Sequence, residues 1–127
     1  MAKIISTDKA PAAIGPYVQA VDLGNMLFAS GQIPLDPSTG EMPSCVKEQA
    51  KQSLANVKAI VTAAGYQVNN IVKTTIFLAD MNDFAVVNAV YEAFFIENNA
   101  TFPARSCVQV ARIPKDAKVE IEVICSN

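Results

Sequence analysis

The stretch Ile71-Val72-Lys73-Thr74-Thr75-Ile76-Phe77-Leu78-Ala79, followed closely by Asp83-Phe84-Ala85-Val86-Val87-Asn88-Ala89-Val90-Tyr91-Glu92-Ala93-Phe94-Phe95-Ile96-Glu97, decides the fold. Its first part is rich in β-branched residues and reads as a strand over 71–79. The end of that strand, Ile76 to Ala79, is apolar on both faces, which predicts burial on both sides rather than a half-wet sheet. The second part reads as a helix over 83–97, with Phe84, Val87, Tyr91, Phe94 and Phe95 in one stripe. Ala85, Val86, Ala89, Val90, Ala93 and Ile96 make much of the remainder apolar too, whereas a surface helix needs only one apolar stripe. Much of this helix is expected to be covered, by its own sheet and by another subunit.

Upstream lies another helix over 45–64. Val46, Ala50, Ser53, Leu54, Val57, Ile60, Val61 and Ala64 recur at three-to-four spacing, while Lys47, Lys51, Gln52 and Lys58 line the other side. Ser44 is expected as its N-cap and Gly65 in the left-handed position after its end. Before it, Tyr17 to Val21 alternates, stops at the turn cluster Asp22-Leu23-Gly24-Asn25, and is followed by Met26 to Ser30, a hairpin pattern. Asp36-Pro37-Ser38-Thr39-Gly40 is a loop. Downstream, Arg105 to Arg112 and Lys118 to Ile124 read as two strands around Ile113 to Ala117. The expected fold is α+β, a mixed sheet with two helices packed on one face. Such a sheet must hide its other face, and self-association does so with the least chain.

The chain has 127 residues, a length that fits one domain over 1–127, and with 51% hydrophobic and 17% charged residues it is too apolar to be disordered. It contains no histidine. That excludes Ser-His-Asp and Cys-His catalysis, histidine proton shuttles and zinc sites built on histidine. A net charge of −2 without a basic run makes nucleic acid a poor partner. The three cysteines, Cys45, Cys107 and Cys125, form no CxxC pair and read as reduced thiols of a cytoplasmic protein. Neither a signal peptide nor a membrane span is expected. No glycine-rich phosphate loop occurs, so no cofactor is indicated, and no metal site is expected.

The chemistry must therefore run on carboxylate, guanidinium, hydroxyl, thiol and backbone groups. Of two arginines, Arg105 stands at a strand start among small and apolar neighbours, where its planar fork matches a carboxylate bidentately; the competing reading is an ordinary ion pair. Alternation puts Glu120 and Glu122 opposite Val119, Ile121 and Val123. Glu120 is either a solvated glutamate or, if burial raises its pKa, a group that orients or deprotonates water. In a directly paired C-terminal hairpin, Arg105 and Glu120 share a face only when paired residue numbers have an odd sum, and sequence does not fix that register. Asn88 interrupts the apolar helix and needs partners if buried. Tyr17 follows a sharp bend at Gly15-Pro16 and either packs or lines a site. Cys107, with no histidine to activate it, reads as a small strand residue. Ser44-Cys45-Val46-Lys47 matches S-x-x-K, but the companion elements of serine acylases are missing.

Several motifs together resemble the RidA (YjgF) family. These are Pro103-Ala104-Arg105-Ser106-Cys107-Val108-Gln109-Val110-Ala111-Arg112 with Val119-Glu120-Ile121, Ala10 to Tyr17, Ser30-Gly31-Gln32-Ile33-Pro34, Asn56 to Ile60 and Asn82-Asp83-Phe84. The resemblance spans essentially the whole chain. It implies a chorismate-mutase-like fold and a homotrimer with a central β-barrel and ligand sites between subunits. The implied activity is cofactor-free hydrolysis of 2-enamine and 2-imine acids, such as 2-aminoacrylate/2-iminopropanoate and 2-iminobutanoate, to 2-keto acids and ammonia. The implied site residues are Tyr17, Ser30, Gly31, Asn88, Arg105, Cys107 and Glu120, with Arg105 on the substrate carboxylate and Glu120 on water. Two other readings use the same chain: a non-catalytic sensor of 2-ketobutyrate-type acids in the same pocket, and the endoribonuclease or translation inhibitor attributed to some relatives, which the acidic charge disfavours.

Overall fold

The computed structural model describes residues 2–127. Six strands form one sheet: β1 (Lys3–Ile5), β2 (Ala20–Asp22), β3 (Met26–Gln32), β4 (Ile71–Leu78), β5 (Ala104–Gln109) and β6 (Val119–Ser126). Helix α1 (Val46–Ala63) precedes β4, and α2 (Phe84–Glu97) joins β4 to β5. The strand order is β1-β2-β3-β6-β4-β5. Only the β4–β5 pair is parallel, as a helical crossover between consecutive strands requires.

The order corrects the expected C-terminal hairpin. β5 and β6 never pair, because β4 lies between them, parallel to one and antiparallel to the other. Arg105 stands opposite Thr74, and Glu120 opposite Phe77. Thr74 and Phe77 are three residues apart on one strand, so they point to opposite faces, and so do Arg105 and Glu120. The first hairpin forms, but its leading strand starts at Ala20 rather than Tyr17. Asp22 closes its turn, accepting from Gly24 N–H at 2.8 Å and from the Tyr66 hydroxyl at 2.8 Å. The N-terminal β1, unanticipated in the sequence, adds to the edge of β2.

α1 buries Ala50, Ser53, Leu54, Val57, Ile60 and Val61 against a core that includes Leu27, Ile76, Leu78, Ile121 and Phe95. Gly65 takes φ +86°, with Gly65 N–H on Thr62 O and Tyr66 N–H on Val61 O, the paired bonds that end a helix in a left-handed residue. The cap at the other end differs from expectation. Cys45 occupies the N-cap, and no side chain bonds the free amides there. Two buried amides of α1 instead clip loops to the helix. Gln49 donates to Pro43 O at 2.8 Å and accepts from Lys118 N–H at 2.8 Å. Asn56 donates to Ile33 O at 3.1 Å and Leu35 O at 2.9 Å. These clips fix the segments entering β6 and leaving β3.

Both helices cover the same sheet face. On the other face Phe28 pairs with Ile124 and Phe77 with Val108, and Ile4, Phe28 and Val108 are exposed. The end of β4 is thus covered on one side only within a chain. Val86 and Ile96 of α2 are exposed as well. No helix among the described residues is long and apolar enough to cross a membrane. All described peptide bonds are trans, including Phe102–Pro103.

Candidate active site

The singled-out residues gather in two clusters on opposite sides of the sheet. The first lies on the helix side. Phe84, Asn88 and Tyr91 recur at i, i+4 and i+7 and so share one face of α2. Arg105 reaches up from the edge strand β5 and donates from Nη1 to Asn88 Oδ1 at 2.7 Å. Its guanidinium carbon lies 4.9 Å from the Tyr91 ring centroid and 5.5 Å from that of Phe84. Among the described residues the other four guanidinium N–H groups have no side-chain partner, and Arg105 lines a cavity of about 400 Å³ with Asn88, Tyr91, Glu92, Phe102 and Pro103. Cys107 follows on the same side of β5, opposite Ile76, and packs on the core. Burial pushes its thiol pKa up, with the Arg105 charge opposing, so the group is a poor nucleophile.

The second cluster lies on the open side. The β3–β6 register slips between Ala29 and Gln32, which places a β-bulge at Ser30-Gly31. Ser30 is pinned there, its Oγ donating to Val18 O at 2.7 Å and its N–H to Gln19 O at 2.9 Å. Gln19 is buried and in turn ties down the N-terminal segment, donating to Thr7 O at 3.0 Å and Pro11 O at 2.8 Å. The Glu120 carboxylate folds over Gly31, with Oε2 in the space a Cβ would need. Only glycine admits that approach. Tyr17, Ser30, Gly31, Lys115, Glu120 and Glu122 share a cavity of about 530 Å³. Burial, and secondarily the Glu122 charge, raise the Glu120 pKa.

One chain therefore joins Arg105, Asn88 and Cys107 on one side, and Tyr17, Ser30, Gly31 and Glu120 on the other; it does not bring Arg105 to Glu120. Arg112 belongs to neither cluster. It grips Asp116 with two bonds, 2.7 and 3.1 Å, across a turn where Lys115 and Asp116 both have positive φ. Sequence reading missed the aromatic bed under Arg105, although Asn88 set among aromatics at helical spacing is its signal. It also missed Lys115, for which no local pattern exists. Among the described residues no three His, Cys, Asp or Glu side chains cluster as metal ligands.

The family model described as Endoribonuclease L-PSP matches residues 7–126. The chain belongs to this family, the RidA (YjgF) family of the motif resemblance. Among relatives, the RidA-family chain is 70% identical over 124 residues to the 2-iminobutanoate/2-iminopropanoate deaminase of Escherichia coli (strain K12), covering 98% of this chain and 97% of that one. It is 64% identical to TdcF of E. coli (strain K12), covering 98% of this chain and 96% of that one. Its fold matches the crystal structure of the E. coli YjgF gene product with a TM-score of 0.97, at 68% identity and 98% coverage of both chains. The crystal structure of E. coli TdcF with bound serine gives a TM-score of 0.97, at 62% identity and 98% coverage of both.

Proposed function

We propose that this protein hydrolyses reactive 2-enamine and 2-imine acids, including 2-aminoacrylate/2-iminopropanoate and 2-iminobutanoate, to 2-keto acids and ammonia. The observation that carries the reading is the division of the site: a free guanidinium fork on one sheet face, and a carboxylate with raised pKa on the other. The curated name of a relative at 70% identity supports the substrate class. TdcF crystallised with serine, an α-amino acid carrying the carboxylate that the Arg105 cluster would take.

In this mechanism Arg105 binds the substrate carboxylate through its unpaired N–H groups, backed by Asn88. Glu120, ionised, takes a proton from water as the oxygen attacks the imine carbon. It returns that proton to the nitrogen as the carbinolamine collapses. With the imine reacting in its protonated form, the C–N bond then breaks and ammonia departs while Glu120, ionised again, takes the carbinol hydroxyl proton as the C=O forms; that proton passes to the ammonia, which leaves as ammonium. Tyr17 and Ser30 form the wall of the pocket, and Cys107 contributes shape rather than thiolate. Imines hydrolyse readily unaided, so positioning and general-base help of roughly 10²-fold each, about 5–6 kcal/mol together, suffice.

The two half-sites meet when copies associate. In a homotrimer whose open sheet faces turn inward as a barrel, Phe28, Phe77 and Val108 are covered, and each site takes its guanidinium from one copy and its carboxylate from the next. The reading places the protein in the cytoplasm, where its three unpaired cysteines stay reduced. The name of the family model gives no reason to assign RNA cleavage here, since neither cluster offers a basic groove for phosphates.

The test is a coupled assay in which threonine dehydratase generates 2-iminobutanoate and ketobutyrate release is timed. Wild-type protein should accelerate release, and Arg105→Ala should abolish the acceleration while the oligomer survives. Unchanged release in that variant would overturn the reading. Glu120→Gln should still bind ketobutyrate but lose turnover; a mere sensor would have no turnover to lose.

A further inference from the structure

The Arg105 cluster contains a polar device that the reaction as described does not use. Thr74 is fully buried on the helix side of β4, in a layer whose neighbouring positions are Ile76 and Leu78. Its Oγ1 lies 2.7 Å from the hydroxyl of Tyr91, itself buried. A valine would fill the same space without a polar atom, and Phe95, one turn on, packs in the core with no hydroxyl. Two hydroxyls facing each other in an apolar layer fix the rotation of the Tyr91 ring, since any other orientation leaves both unpaired. That ring carries the Arg105 guanidinium, 4.9 Å from its centroid. Phe84 supplies a second aromatic surface, and Asn88 takes Nη1.

An arginine on an edge strand is otherwise free to sample many rotamers, most of them useless for gripping a ligand. We propose that Tyr91 is a positioning residue for Arg105, its ring locked through Thr74 so that the guanidinium is held at the cavity wall before the carboxylate arrives. The inference rests on the reading of Arg105 as the carboxylate-binding group. Tyr91 does not act on the imine. It lowers the ordering cost of binding, so its loss should appear in KM and in affinity for the keto-acid product rather than in kcat.

The experiment measures 2-oxobutanoate affinity by ligand-detected NMR for wild type, Y91F, Y91L, T74V, R105A and R105A/Y91L, with kcat and KM for the variants that turn over. Y91L, which removes the ring, should weaken binding about 10-fold and raise KM in step, with kcat within about threefold. Y91F and T74V keep the ring but release its anchor, and should each cost about two- to threefold. In the R105A background, Y91L should change affinity by less than about twofold. An equal loss with and without Arg105 would show that Tyr91 merely supports the fold and would overturn the proposal. So would wild-type affinity in Y91L, or a fall in kcat at constant KM. If Y91L does not fold, the same cycle run with Y91F and T74V decides. Failure of the underlying reading looks different: R105A itself would then bind 2-oxobutanoate like wild type.

Discussion

Arg105 and Glu120 stand on strands that flank β4, opposite Thr74 and Phe77, so their side chains leave the sheet on opposite faces. No rotamer change can bring them to one small substrate through a packed sheet. A site that needs both must draw them from different copies.

Complementation follows from this. R105A and E120Q, each inactive alone, should regain activity when dissociated together and reassociated, because mixed oligomers contain sites with one intact half from each variant. Random mixing of equal amounts in a ring of shared sites gives about one site in four intact. Keto-acid release from the mixture is the measurement, and no recovery would place both groups within one chain's site.

With Glu120 as the general base of the proposed reaction, its raised pKa predicts the pH dependence. A general base must be ionised, so turnover should climb with pH along a limb lying above the ordinary carboxylate value of about 4.3. Glu122→Gln removes one of the two causes and should shift that limb to lower pH. For stability the sign is opposite. The folded state holds this proton more tightly than the unfolded one, so the favourable contribution is full below the unfolded pKa and fades as pH rises through the folded one. E120Q should therefore unfold at higher urea than wild type at neutral pH, and a lower midpoint would contradict the assignment.

Gly31→Ala tests the cradle under Glu120. The new Cβ claims the space of the carboxylate, which must swing away. The backbone φ at Gly31 is not in the left-handed region, so the strand itself tolerates alanine. Turnover should fall by about 10-fold or more, corresponding to about 1.4 kcal/mol or more of lost transition-state stabilisation. Thermal unfolding should shift only modestly, and wild-type kcat would show that Glu120 does not act from this position.

Gln49→Leu removes both bonds of a buried clip and strands Lys118 N–H and Pro43 O. Leaving such groups unpaired costs about 1–3 kcal/mol each when fully buried, and this site is partly buried, so about 2–3 kcal/mol in total is expected. Urea titration at constant m-value reads it. Because Lys118 leads into β6, Glu120 should lose precision and kcat should drop as well.

Ser53 behaves in the reverse way. Its hydroxyl is buried in α1 with no hydrogen-bond partner among the described residues. Ser53→Ala removes an unsatisfied group and restores a better helix former, so stability should rise by about 1 kcal/mol. A loss of stability would mean that the hydroxyl has a bonding partner in solution.

The helices, β4 and the hairpin at Asp22–Asn25 were legible because their signals are local: apolar periodicity, β-branched composition and turn residues. Strand order was not, because the rule that neighbours in sequence pair in space fails where β4 inserts between β5 and β6. β1 was invisible as a three-residue edge strand with no alternation to read. Ser44 has cap chemistry but sits one position too early. The site residues came from motif resemblance. Their division into two halves came only with the register, a long-range property that the alternation of Lys118 to Ile124 cannot encode.

The bulge in β3 also bears on how this chain tolerates insertions and deletions. Leu27 and Ala29 point into the core, and so does Gln32, a spacing of two and then three. Remove one residue at Ser30-Gly31 and the strand returns to strict alternation. Leu27, Ala29 and Gln32 would still face the core in register with β6, but the extra residue that shapes the hollow for the glutamate is gone, and that hollow closes. The same deletion in the 36–40 loop would only shorten a surface turn. Length variation in related sequences should accordingly accumulate in that loop and spare the bulge.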